Sequence, residues 1–94
     1  MLMSMIQNII DQLTIAKNMK LIHSAAMRTE SMPTGSRIDL SIIISDSTSE
    51  TVMMRLRDYF KAKFPKAVIY TNGRVFALTL HDQITHNAPQ SVNI

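Results

Sequence analysis

Ninety-four residues, 46% of them apolar and 18% charged, suit one small domain and exclude both a disordered chain and a fibrous repeat. The lack of cysteine excludes a disulfide framework and thiol chemistry, and two glycines, Gly35 and Gly73, are too few for a Walker loop or a dinucleotide fingerprint. The formal charge of +3 is mild, but it is unevenly spread: residues 55–74 hold six basic side chains against the lone Asp58.

Gln7, Asn8, Asp11 and Gln12 interrupt the opening apolar residues before a secretory h-region can form, and no run approaches the roughly 20 apolar residues of a membrane span. A soluble cytoplasmic protein with no membrane contact is expected. Ser4-Met5-Ile6-Gln7 has the form of a capping box and predicts a helix from about Met5. Ile6, Ile9, Ile10, Leu13 and Ala16 then recur at helical spacing as one core-facing stripe. Farther along, Ile15, Met19, Ile22 and Ala26, spaced four, three and four, form a second stripe with the pattern of a short coiled-coil seam. His23 sits near the first stripe as a boundary or partner-facing residue, and Pro33 and Gly35 supply the turn that ends this long helix.

Over residues 37–45, Ile38, Leu40, Ile42 and Ile44 alternate with Asp39, Ser41 and Ser45, which predicts a strand whose polar face only Ile43 breaks. Ser47-Thr48-Ser49-Glu50 is a second capping box, opening a helix to about Lys63 with Val52, Met53, Leu56, Tyr59 and Phe60 on its apolar side; Phe64-Pro65 stops it. Residues 67–71 and 74–80 read as two strands joined by a type I′ turn at Asn72-Gly73. If Thr71 faces Arg74, Ile69 pairs with Phe76 and Tyr70 with Val75, and both hairpin faces are partly apolar. Beyond His81 the pattern dissolves into polar residues and proline.

The predicted order α-β-α-β-β defines a small single-domain α+β protein over residues 1–94, a three-stranded sheet with two helices packed on it. Its ordered core is expected over about 4–82 and a flexible C-terminal tail over about 84–94. The segment between the first two strands is long enough for a right-handed crossover. Open sheet edges and the second stripe of the first helix both favour a homodimer.

Several residues invite a chemical reading. Ser47, Thr48 and Ser49 stand at a helix start that exposes free N–H groups, a possible anion site, although Glu50 competes for the same donors. Asp46 and Glu50 together are too few to hold magnesium, and His81, Asp82 and His86 are spaced too loosely across a strand end for a metal tetrahedron. No catalytic, cofactor or metal set converges. Arg55, Arg57, Lys61, Lys63, Lys66 and Arg74 form a basic segment that suits nucleic acid or an acidic partner. Ile15, Met19, Ile22, Ala26, Met54 and Tyr70 are candidate protein-interface residues; Met54 is a thioether among charges. The leading expectation is a non-catalytic protein-binding regulator or inhibitor, of the size viruses and mobile elements often encode, that occupies a surface of a larger macromolecule. A DNA- or RNA-binding module using residues 55–74 is the alternative, and a small enzyme or anion site at the start of the second helix comes third.

Overall fold

The computed structural model describes residues 4–82 and 90–94. The chain runs α1 (Ser4–Asn18), β1 (Ile22–Met32), β2 (Gly35–Ile44), α2 (Glu50–Lys63), β3 (Val68–Asn72), β4 (Val75–Asp82) and β5 (Gln90–Asn93). The strands form one antiparallel sheet in the order β3-β4-β2-β1-β5. Thus the α-β-β sequence occurs twice, and the second strands of the two units, β2 and β4, pair at the centre of the sheet. The β2-α2-β3 connection carries the chain back so that β2 and β3 run parallel, but β4 lies between them, a split crossover rather than a directly paired one.

The sheet has five strands, not the three expected, because the long first helix is a helix and a strand and because part of the expected C-terminal tail, residues 90–93, adds another. α1 stops at Asn18 in a Schellman motif: Leu21 N–H donates to the Ala16 carbonyl at 3.0 Å and Lys20 N–H to the Lys17 carbonyl at 2.9 Å. Lys20 takes the left-handed position of that motif at φ 62°, where glycine is usual. The supposed coiled-coil seam is therefore divided. Ile15 and Met19 stay at the end of α1, Ile22 enters the core from β1, and Ala26 lies on the opposite face of the sheet. A bulge between Ile22 and Ser24 adds His23 to β1 and lets Ile22 and Ala25, three residues apart, face the same side. At the carboxyl end, residues 90–93 add β5 to the outer side of β1, where the Gln90 N–H donates to Thr29 Oγ1 at 2.9 Å and Ile94 exchanges two backbone bonds with Ala25.

Alternation decides which face is covered. Met27, Leu40, Leu78 and Ile69 are successive cross-strand neighbours, as are Ile42 with Phe76 and Ile38 with Leu80. On that face lie Ile6, Ile9, Leu13 and Ala16 of α1 and Phe60 of α2, with Met53, Leu56 and Phe64 packed at the margin. Each large side chain taken fully out of water contributes about 1.5–3 kcal/mol, and both amphipathic helices spend their apolar stripes on this one face. The Tyr59 hydroxyl joins the helices by donating to Gln12 Oε1 at 2.9 Å, while its ring meets Phe60 edge-on.

Local signals shift slightly. Gln7 donates forward to Asp11 at 2.9 Å, and the Ser4 side chain of the expected capping box lies outside those described. Ser49, rather than Ser47, caps α2, its Oγ accepting from Val52 N–H at 3.2 Å. The β3-β4 turn is Gly73-Arg74, with Gly73 alone at positive φ (58°), the glycine-first pattern of a II′ turn. Pairing consequently slides by two residues, to Thr71 with Phe76 and Tyr70 with Ala77. A slip of two preserves the face of every side chain.

Lys20→Gly is expected to stabilise the domain by up to about 1 kcal/mol, since glycine holds the left-handed cap without a Cβ penalty; urea unfolding monitored by circular dichroism measures it.

Candidate functional site

With both helices on one side, no described element covers the other face of the sheet. Register places its side chains in rows: Ser24, Ile43, Val75 and Asn72; Ala26, Ser41, Ala77 and Tyr70; Arg28, Asp39, Thr79 and Val68; Glu30, Arg37 and His81. The last two rows carry most of a polar network. Arg37 donates to Glu30 Oε2 at 2.8 Å and to Asp39 Oδ2 at 3.1 Å, and Thr79 Oγ1 donates to Asp39 Oδ1 at 3.1 Å. Beside this network, among Ser24, Ser41 and Asn72, stand large apolar side chains left uncovered: Val68 is 70% exposed, Tyr70 67%, Ile43 41% and Val75 39%. The small side chains of Ala26, Ser41 and Ala77 leave a shallow depression of about 240 Å³ that extends to Asp39 and Thr79. β-branched and aromatic side chains favour strands, so propensity explains part of this composition; the exposure of four of them together is what exceeds the scatter of single apolar residues on an ordinary surface.

Among the described residues the sheet ends at β3, with no strand beyond it. Along that edge a groove of about 430 Å³ runs between β3 and α2, lined by Arg57, Asp58, Lys61, Ala67, Ile69 and Thr71. Arg57 is half-buried and pairs with Asp58 at 3.2 Å, while Lys61 is exposed. Arg55 is exposed elsewhere on α2, and Lys63 and Lys66 flank a different hollow of about 240 Å³ beside Phe64, Pro65, Leu80 and His81. The basic segment is therefore spread over the helix, its end and the following turn.

Arg74 is withdrawn from that set. One guanidinium nitrogen donates to the Ser45 carbonyl and to the Thr48 carbonyl, each at 2.8 Å, and the Arg74 carbonyl accepts from Ile44 N–H at 2.8 Å. Thr48 is buried in the same junction, where its Oγ1 donates to the Leu21 carbonyl at 2.8 Å. Of the three residues of the anion-site reading, Thr48 is thus committed to the backbone and Ser49 to the cap, while Ser47 is exposed. Asp46 and Glu50 are exposed nearby. Among the described residues no three His, Asp or Glu side chains gather where a metal would need them. His81 is exposed at the rim of the polar rows, and His86 lies outside the described residues.

Of the interface candidates, Tyr70 and the half-buried Ala26 share the open face, in one row. Ile15 and Met19 are exposed at the end of α1 and Met54 on the outer side of α2, on the helical layer, and Ile22 is buried. Sequence reasoning placed Val68, Tyr70 and Val75 on one face of the hairpin but did not join Ile43 to them. The available signal was Ile43 breaking the polar alternation of β2 beside a hairpin apolar on both faces. Comparison with family models, curated proteins and solved structures finds no match. No helix of the described residues is long and apolar enough to cross a membrane.

Arg74→Met should cost about 2 kcal/mol, because two carbonyls lose a charged donor, whereas Lys63→Ala or Lys66→Ala should stay within about 0.5 kcal/mol. For a domain of this size the first change lowers Tm by on the order of 10 °C, read by thermal circular dichroism.

Proposed function

We propose that this protein is a non-catalytic binding protein that regulates or inhibits a larger protein partner by covering part of its surface with the open face of its sheet. The observation that supports this most is the uncovered group of Ile43, Val68, Tyr70 and Val75, bordered on one side by the Arg37, Glu30 and Asp39 ion pairs. Apolar centre beside polar rim is the anatomy of a protein interface, and an aromatic residue flanked by small ones offers an anchor and a hollow together. The cysteine-free composition suits a reducing, cytoplasmic setting.

Exposed Arg55, Lys61, Lys63 and Lys66 support a nucleic-acid reading less well. They do not converge on one face with a stacking platform, and Tyr70, the aromatic on the sheet, belongs to the opposite layer from most of them.

The test is a comparison of tagged wild type with the Ile43→Arg, Tyr70→Arg double variant in lysate of the cells that express the protein. Both positions are exposed, so the variant should fold with a stability loss within about 1 kcal/mol. A partner crosslinked to the wild type and missing from the folded double variant supports the proposal; equal recovery with both overturns it. Light scattering on the same two proteins separates a second copy of this chain from a foreign partner.

A further inference from the structure

We propose that the β3 edge accepts an extended acidic segment of a partner protein as a sixth strand. This deepens the reading of the open face and rests on it through Val68 and Tyr70. With Gly73-Arg74 as a two-residue turn, Asn72 and Val75 form the hydrogen-bonded pair next to it, as do Tyr70 with Ala77 and Val68 with Thr79. The alternate residues, Ile69 and Thr71, consequently turn their N–H and C=O groups outward, away from β4. Edge strands in stable proteins are commonly blunted by proline, charge or a bulge. β3 reads Val-Ile-Tyr-Thr-Asn, with none of these, and pairs with β4 in unbroken register.

The side chains on either side of this edge specify the incoming strand. On the helical side, its alternate residues would enter the groove that Arg57 and Lys61 line, where Asp58 is the lone acid. On the open side, the intervening residues would meet Val68 and Tyr70, the two most exposed large apolar side chains of the sheet. An extended chain with acidic residues alternating with apolar ones complements both sides at once. A second copy of β3 does not fit as well: two such edges side by side bring the Arg57 and Lys61 of both copies together, and like charges oppose pairing. A nucleic acid would satisfy the cations but leave the Ile69 and Thr71 backbone groups without partners.

The probe is a short fluorescein-labelled peptide of alternating glutamate and valine, with its lysine-valine counterpart as control. Fluorescence anisotropy should show the acidic peptide binding at least about tenfold more tightly than the basic one, and Arg57→Glu with Lys61→Glu should reverse that preference. Hydrogen exchange followed by NMR should slow at the amides of Ile69 and Thr71 at least about tenfold when the acidic peptide is bound. Thr71→Pro removes an outward N–H from an edge strand, a position that tolerates proline, and should abolish binding in a protein that remains folded. Unprotected Ile69 and Thr71 amides, indifference to charge reversal, or tighter binding of single-stranded oligothymidylate at the same lysine and arginine would each overturn the inference. A cellular partner that Thr71→Pro retains and Ile43→Arg with Tyr70→Arg loses would overturn strand addition and leave the open-face reading standing.

Discussion

Ile38, Leu40, Ile42 and Ile44 stand on one side of a central strand, each 3% exposed or less, and the rest of the chain is arranged to keep that row dry. β1 and β4 flank it with Met27 and Ala25 on one hand and Phe76, Leu78 and Leu80 on the other, so the apolar area is three strands wide before any helix is added. Two helices of 15 and 14 residues are enough to cover it, and among the described residues none is left for the reverse side. The exposed face is thus a consequence of the same alternation that builds the core. A chain of this length has one helical layer to give, and the period of two hands the other face to whatever the outward residues are.

Holding that layer in place requires three chain reversals to meet at one end of the sheet. The Leu21 carbonyl, just after α1, accepts from Ser45 N–H and Thr48 Oγ1 at the start of the β2-α2 connection, and Arg74 from the hairpin donates back to that connection. A buried or half-buried carbonyl without a donor costs about 1–3 kcal/mol, so these bonds are what permit a tight junction between elements distant in sequence. The Thr48 hydroxyl, which suggests an anion site, and the Arg74 guanidinium, which suggests part of a basic contact surface, are used in this way. The same positive and polar groups that would recognise a ligand at a helix start are, when pulled inward, what closes a loop, and only the position of their partners separates the two roles.

How legible the fold was depended on where its signals were local. β2 and α2 were readable because clean alternation and a serine cap with a downstream Phe64-Pro65 stop are properties of short stretches. β1 was not, for two physical reasons. Its helix stop is Lys20 in a conformation that usually advertises itself with glycine, and the bulge at His23 breaks the period of two where Ile22 and Ala25 would have shown it. What remains of β1 alternates through Ala25, Met27 and Thr29, residues with little preference for a strand except for threonine, and the spacing of Ile15, Met19, Ile22 and Ala26 continues the helical rhythm by coincidence. β5 was invisible for a different reason: Val92 is the one strongly apolar residue among Gln90, Ser91, Val92 and Asn93, and its strand exists only because β1 offers an edge with Thr29 and Ala25 to bind it. The apolar residues of the candidate surface lie on β2, β3 and β4, all legible in sequence, but no local signal shows that β2 pairs with β4 and so brings Ile43 beside Val75; the surface could be read only in fragments, as a stray Ile43 and a hairpin apolar on both sides.

The two edges of the sheet have different fates, and the difference bears on where a partner arrives. At one end, β5 occupies the outer side of β1 with a short segment rich in amide and hydroxyl side chains, Gln90, Ser91 and Asn93, which replaces an apolar edge with a hydrated one. At the other end, β3 has no such cover among the described residues and carries the most exposed valine and tyrosine of the protein. The ion-paired Arg37, Glu30 and Asp39 lie on β1 and β2, whereas the apolar residues concentrate on β3, β4 and the end of β2. Desolvating an ion pair is costly and desolvating valine is favourable, so the energy gained by covering this face rises steadily from the β5 side toward β3. A partner of the proposed kind would be drawn to the same border at which the backbone groups of Ile69 and Thr71 turn outward from β4, and apolar attraction and main-chain pairing would then act at one place instead of competing for two.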